Sequence, residues 1–133
     1  NIKVDIDVDP TILVAGDHGQ LETVVLNLLT NARDALQKIE HPRVIKIQSH
    51  TDAQTVTLTI ADNGHGINAS VPDQIFDPFF TTKEHGMGIG LWLSRSIVEH
   101  HNACMTVSNN DDGGARFEIV FTQRVLPLAS RLT

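Results

Sequence analysis

Residues 17–39 read DHGQLETVVLNLLTNARDALQKI, and this stretch decides the fold. Leu21, Val24, Val25, Leu28, Ala32, Ala35, Leu36 and Ile39 recur at three- and four-residue steps, the period of one α-helical face. Asp17 is placed to cap the start of that helix, and His41-Pro42 stops it. Two polar residues sit in the middle of the apolar run. Asn27 and Asn31 are four apart, so they stack on one face beside the apolar stripe.

Outward from this helix the chain alternates between strand and helix patterns. Before it, Ile2, Val4, Ile6 and Val8 alternate with Lys3, Asp5 and Asp7, the period of a half-buried strand. Pro10 ends that strand, and Ile12 to Val14 reads as a second short one. After the helix, Val44 to Ser49 and Thr55 to Ala61 read as an antiparallel hairpin around a polar turn at His50 to Gln54. Asp62 to Met87 is rich in glycine and proline, with a short helix expected near Val71 to Ile75. A second helix is expected from about Gly88 to His101, burying Ile89, Leu93 and Ile97 with Trp92 beside them. Cys104 to Ser108 and Ala115 to Phe121 then form strands around a turn at Asn109 to Gly114. This order predicts an α+β two-layer sandwich, with helices covering one face of a mixed, mostly antiparallel sheet.

Composition narrows the function classes. The chain has 133 residues, 41% hydrophobic and 20% charged, which fits one globular domain rather than a disordered tail. A formal net charge of −6 argues against a nucleic-acid or anionic-membrane binder, which needs cations to neutralise phosphates. No apolar run reaches the ~20 residues of a membrane span, and no signal-peptide pattern opens the chain. A single cysteine, Cys104, rules out an internal disulfide and fits a reducing, cytoplasmic compartment. Asn1 stands where a methionine would begin a whole protein, so the chain is read as a piece of a longer one. The domain is expected to occupy residues 1–122, with 123–133 as a tail or the start of a linker.

Four groups of residues carry candidate chemistry. Carboxamide oxygens such as those of Asn27 and Asn31 are neutral hard donors suited to Mg²⁺ held mainly by phosphates. Two partly buried asparagines tied to the backbone would read the same way. Asp62-Asn63-Gly64-His65-Gly66 follows a strand directly. A carboxylate there can accept from an exocyclic amine, although Asp-Asn-Gly is also ordinary turn chemistry. Gly86, Gly88 and Gly90 alternate into the second helix, presenting backbone N–H groups and the positive helix end to a phosphate. Lys83, three residues earlier, adds a positive charge. Phe76, Phe79 and Phe80 are three of five phenylalanines and read as an apolar anchor for that loop.

Other chemistries are excluded. Gly64-x-Gly66-x-x-Ala69 mimics a dinucleotide fingerprint, but Pro72 and Pro78 interrupt the helix that it requires. No Gly-Lys pair exists for a Walker A loop. His100, His101 and Cys104 lack a metal-ligand spacing, and His85 reads as loop filler.

Taken in order, these groups resemble the catalytic and ATP-binding domain of bacterial sensor histidine kinases, within the GHKL ATPase superfamily. The N box resembles Leu26-Asn27-Leu28-Leu29-Thr30-Asn31-Ala32-Arg33-Asp34-Ala35, and the first glycine box Asp62-x-Gly64-x-Gly66. The F box resembles Phe76-Asp77-Pro78-Phe79-Phe80-Thr81-Thr82-Lys83, and the second glycine box Gly86-x-Gly88-x-Gly90-Leu91. The resemblance spans about Val4 to Phe121. Any one box is weak and all four together are strong. The wording of the boxes is most similar to the nitrogen-regulation and oxygen-sensing subgroups.

The resemblance implies a Bergerat-type fold holding ATP and Mg²⁺ under a short lid at Thr81 to Gly86. Asp62 would take the adenine amino group, with Gly64, Gly66 and Ile67 at that end. Asn31 would coordinate the metal, with Asn27 helping. Lys83 and the backbone at Gly86, Gly88, Gly90 and Leu91 would hold the phosphates. Phe76 and Thr82 are carried over as further nucleotide-binding positions, and Asn27, Asn31 and Lys83 as the catalytic ones. The implied partners are a helical dimerisation and phosphoacceptor domain of the same protein and, through the full-length kinase, a response regulator. The piece alone would be a monomer without nucleic-acid or membrane contacts.

Two departures stand out. The superfamily's true ATPases carry a glutamate, four positions before the metal asparagine, that activates water. Here that position is Asn27, which favours phosphoryl transfer over hydrolysis. Near the C-terminus the kinases usually read Gly-x-Gly-Thr-x-Phe, whereas this chain has Ala115 in place of the threonine. The family's acceptor histidine is usually followed by an acidic residue, and none of the seven histidines here precedes Asp or Glu. Autophosphorylation by the piece alone is therefore not expected. The alternatives are a degenerate nucleotide-binding or regulatory interaction module, and a GHKL serine kinase of anti-sigma type or a relative of pyruvate dehydrogenase kinase.

Overall fold

The structure is a computed structural model, described here for residues 1–40, 42–67, 75–77, 90–111 and 113–122. Five strands, β1 (Lys3–Asp7), β2 (Val44–Thr51), β3 (Val56–Asp62), β4 (Ala103–Asn109) and β5 (Ala115–Phe121), form one sheet in the order β1-β2-β3-β5-β4. Only β1 and β2 are parallel, and the other pairs are antiparallel. Two helices, α1 (His18–Leu36) and α2 (Gly90–His100), pack together over one face. The two-layer α+β sandwich expected from the sequence is the fold.

The long helix forms for the reasons its sequence gives. The Asp17 carboxylate accepts the Gln20 amide at 2.9 Å, satisfying one of the free donors of the first turn. Val24, Leu28, Ala32 and Leu36, a row at four-residue spacing, are buried against the sheet. Complete burial of a leucine is worth about 1.5–3 kcal/mol, and Leu28 and Leu36 are both essentially inaccessible. The helix ends at Leu36, three residues before Ile39, with Gln37 as its cap donating to the Arg33 carbonyl. There Lys38 and Ile39 bond to the carbonyls three residues back, and the Arg43 guanidinium takes the Ile39 carbonyl.

Along the sheet, inward residues of β2, β3 and β5 alternate with polar ones, as the strand period requires. Ile45, Ile60, Phe117, Ile119 and Phe121 enter the core, and Met105 joins them from β4. The central position of β3 matters for function, because Asp62 at its end is held from both sides.

Three local expectations are corrected. Ile12 to Val14 is not a strand. The Asp9 carboxylate accepts the Thr11 amide at 2.9 Å, and the turn this makes takes the chain out of the sheet. In β1 the alternation is present, but Val4 and Ile6 stay 48% and 69% exposed because the helices lie over β2, β3 and β4. On α2 the buried residues are Ser94 and Val98, with Leu91 and Ile97 half-buried, whereas Leu93 is exposed. The inward face is set by a polar tie to α1, described below, which hydrophobicity does not reveal. Of the helix expected near Val71 to Ile75, only Ile75 is among the described residues. Ile89, Phe79 and Phe80 lie outside them.

Candidate functional site

At the end of β3, Asp62 is buried, with 5% of the residue exposed. Its Oδ1 accepts the Gly64 amide at 2.8 Å and the Ala115 amide at 3.4 Å. Burial raises its pKa above the ordinary carboxylate value, and the Gly64 and Ala115 amides oppose that rise. A buried acceptor at a strand end, fixed by two backbone donors, is suited to reading an amine. Ala115 thus contributes its backbone N–H to the hold on Asp62, and has no hydroxyl to add.

The glycines around Asp62 are sites of close approach. A side chain at Gly64 would stand 3.2 Å from the Cβ and carbonyl of Ala35, so this loop lies directly against α1. Gly66 has φ +82°, and a Cβ there would stand 2.5 Å from Asn109 Oδ1. Asn109 also clasps the next residue in both directions, accepting the Ile67 amide at 2.8 Å and donating to the Ile67 carbonyl at 3.0 Å. Asn110 donates to the Asp62 carbonyl at 3.2 Å, tying the β4–β5 turn to the same strand end. In the sequence Asn109 and Asn110 mark only a turn, where asparagine is common.

Across from this loop, α1 presents Asn27 and Asn31 one turn apart, both half-buried. The Asn27 amide nitrogen donates to Ser94 Oγ at 3.0 Å and to the Gly90 carbonyl at 3.4 Å. Gly90 opens α2 within van der Waals range of Asn27, so the last glycine of the glycine-rich run meets the asparagine face. The positive end of the α2 dipole is placed there too. Asn27 spends its donor on α2 and keeps Oδ1 as an acceptor. Two neutral carboxamides beside a helix N-terminus fit a phosphate-held Mg²⁺ better than a site that binds metal by charge. No cluster of three His, Cys, Asp or Glu side chains exists among the described residues.

Phe76 is 97% buried, packs edge-on against Phe117 at 6.3 Å and lies under the Arg95 guanidinium at 4.4 Å. It therefore anchors its segment to both β5 and α2, and Leu91 packs on the same core. Thr82, Lys83, Gly86 and Gly88, together with the expected lid, lie outside the described residues. Of the expected positions, Asp62, Gly64, Gly66 and Ile67 share the end of β3 and the loop after it, which meets α1 at Ala35, while Asn27 meets Gly90 at the start of α2, with Asn31 one turn along α1 and Leu91 next to Gly90. Ser94 is an addition. Nothing in its local sequence sets it apart from other serines on a helix.

The chain matches the family model described as histidine kinase-, DNA gyrase B- and HSP90-like ATPase over residues 16–125. It is 34% identical over 118 residues to the sensor protein FixL of Bradyrhizobium diazoefficiens, covering 88% of this chain and 23% of that protein. It is 39% identical over 109 residues to the signal transduction histidine-protein kinase AtoS of Escherichia coli, covering 80% of this chain and 17% of that one. Among solved structures, the mycobacterial sensor histidine kinase MprB superposes with a TM-score of 0.82 at 26% identity, covering 94% of this chain and 84% of that one. The nucleotide-free catalytic domain of histidine kinase ThkA gives 0.80 at 28% identity, covering 92% and 80%. The chain belongs to the histidine kinase-, DNA gyrase B- and HSP90-like ATPase family, as an ATP-binding catalytic domain of the sensor histidine kinase type. It spans about a fifth of the length of the curated relatives it matches.

Proposed function

We propose that this domain binds Mg²⁺·ATP at the end of β3 between α1 and the start of α2, and donates the γ-phosphate to a histidine on a separate helical dimerisation domain. The observation that carries this reading is the buried Asp62 carboxylate, held by the Gly64 and Ala115 amides near the asparagine face of α1. Asp62 accepts from the adenine amino group, with Gly64, Gly66 and Ile67 shaping that end. Asn31 and the Asn27 carboxamide oxygen hold Mg²⁺, which neutralises phosphate charge when bound. Gly90, Leu91 and the α2 N-terminus take the phosphates, joined by Thr82, Lys83, Gly86 and Gly88.

Phosphoryl transfer needs positioning and charge neutralisation more than covalent help from the protein. That division of labour matches this chain. An amide at position 27 cannot take a proton from water, and its nitrogen is occupied by Ser94 and Gly90. Hydrolysis thus lacks its base while transfer to a delivered histidine does not require one here. The partners are the phosphoacceptor domain of the same protein and a response regulator reached through the whole kinase. ThkA has been solved in complex with the response regulator protein TrrA. No helix among the described residues is long and apolar enough to cross a membrane, and we place the domain in the cytoplasm as a monomer, with residues 123–133 as a tail or linker.

Calorimetric titration with a non-hydrolysable ATP analogue, with and without Mg²⁺, tests the site. Saturable binding that Asp62→Asn abolishes is expected. Failure of the folded chain to bind would replace this reading with a degenerate interaction module. Incubation with labelled ATP should leave the isolated chain unlabelled, and histidine label in stoichiometric amount would overturn the need for a separate acceptor domain. With the whole kinase, an acid-labile, base-stable phosphoryl group is expected. The opposite stability would point to a serine kinase.

A further inference from the structure

We propose that the face of the sheet turned away from the helices carries a second site, for a small oxyanion, built from Lys46, Arg116 and the Thr59 hydroxyl. The register places these groups together. Lys46 of β2 and Arg116 of β5 both pair with Ala61 of β3, so two cations flank the smallest side chain of the row. In the next row, Thr59 lies between Gln48 and Glu118. The alternate residues Ile45, Ile60 and Phe117 enter the core, which puts Lys46, Ala61 and Arg116 on the opposite face.

A cavity of about 180 Å³ lies over this spot, with Asn110 and Gly113 at its rim. That exceeds the ~30 Å³ of a single water several-fold. A phosphate or a small carboxylate fits in that space. Thr59 is 94% buried, yet its hydroxyl has no hydrogen-bond partner among the described residues. No fully enclosed side-chain polar atom is left unsatisfied among those residues, so this hydroxyl opens into the cavity. An open hydroxyl can donate to a ligand oxygen in place of the water it otherwise reaches.

The charges agree. Lys46 makes no ion pair among the described residues, since its neighbour Asp5 turns to Lys3 at 3.7 Å. Arg116 engages Glu118 through Nε at 3.3 Å and keeps further donors on the same guanidinium. Asp62 is the only acidic residue lining the cavity among the described ones, and its carboxylate Oδ1 is turned to the Gly64 and Ala115 amides. Lys46, without an ion pair among the described residues, and the Arg116 donors not taken by Glu118 are the cationic groups that an oxyanion beside the hydroxyl would meet.

The test is amide NMR of the folded chain, titrated with sodium phosphate in one arm and sodium malonate in the other, at ionic strength held constant with sodium chloride. Saturable shifts at Thr59, Ala61, Gly113 and Arg116 are expected, and the arm that saturates says whether a phosphate, a carboxylate or either is taken. Thr59→Val, nearly isosteric, and the surface change Lys46→Gln should each raise the apparent Kd about tenfold. Shifts that never saturate would overturn the site. So would saturation that survives both substitutions, or that is confined to Asn27, Asn31 and Gly90.

Discussion

The Asn27 side chain donates to the Ser94 hydroxyl at 3.0 Å, joining the middle of α1 to the second turn of α2. This bond explains why Ser94, with no exposed surface, faces inward while its neighbour Leu93 does not. It also holds the asparagine face against the glycine-led start of α2, where phosphates are expected.

Ser94→Ala removes that acceptor and leaves the Asn27 donor with only the longer bond to Gly90. A loss of about 1–2 kcal/mol is expected from urea unfolding. In a double-mutant cycle with Asn27→Ala, a coupling of roughly 0.5–1.5 kcal/mol should appear. Strict additivity would mean that the bond contributes nothing.

Asp62→Asn separates function from stability. The amide keeps an oxygen for the Gly64 and Ala115 donors but carries no desolvated charge. Because burial raises the folded pKa of Asp62 above the ordinary carboxylate value of 3.8, its ionisation costs stability that grows as pH rises from 3.8 through the folded pKa and is full above it. The variant should therefore melt a few degrees higher at neutral pH. Its advantage should fade as pH falls toward 3.8, where the wild-type group is protonated in the folded state. A variant less stable than wild type at pH 7 would contradict this account.

Two adjacent glycines should behave differently. Gly113 and Gly114 both have positive φ, +101° and +92°. A Cβ at Gly113 has room, so Gly113→Ala should cost only backbone strain of about 1–2 kcal/mol. At Gly114 the Cβ would overlap the Asp62 carbonyl, and nothing there can move without shifting the β3 end. Gly114→Ala should lower Tm far more than Gly113→Ala and displace the amide resonances of Asp62 to Gly64. Equal effects would refute the close packing.

Phe76→Leu loses the edge-on contact with Phe117 and the cation–π contact with Arg95 while keeping most of the apolar volume. A cost on the order of 1–2 kcal/mol is expected, against roughly 3–5 for Phe76→Ala. If Arg95→Gln in the Phe76→Leu background costs as much as in wild type, the guanidinium gains nothing from the ring.

Sequence by itself determined the helix from Asp17, the β2–β3 hairpin, the final pair of strands and the layered class. Each of these is local. A four-residue apolar row or a two-residue alternation is written in consecutive residues and needs no knowledge of partners. The motifs around Asn27, Asn31, Asp62 and the glycine run were legible for a related reason, since their residue types and order are unusual for a purely structural segment. Tertiary structure alone decided which α2 face is buried, because the bond from Asn27 to Ser94 joins residues 67 positions apart. It also decided that Val4 and Ile6 would stay exposed, since alternation names a face but not whether a helix lies over it. The clasp from Asn109 to Ile67 and the backbone hold on Asp62 by Ala115 could not be read in advance either. Those contacts depend on β5 lying beside β3, and strand order is a long-range outcome of packing that no short window of sequence contains.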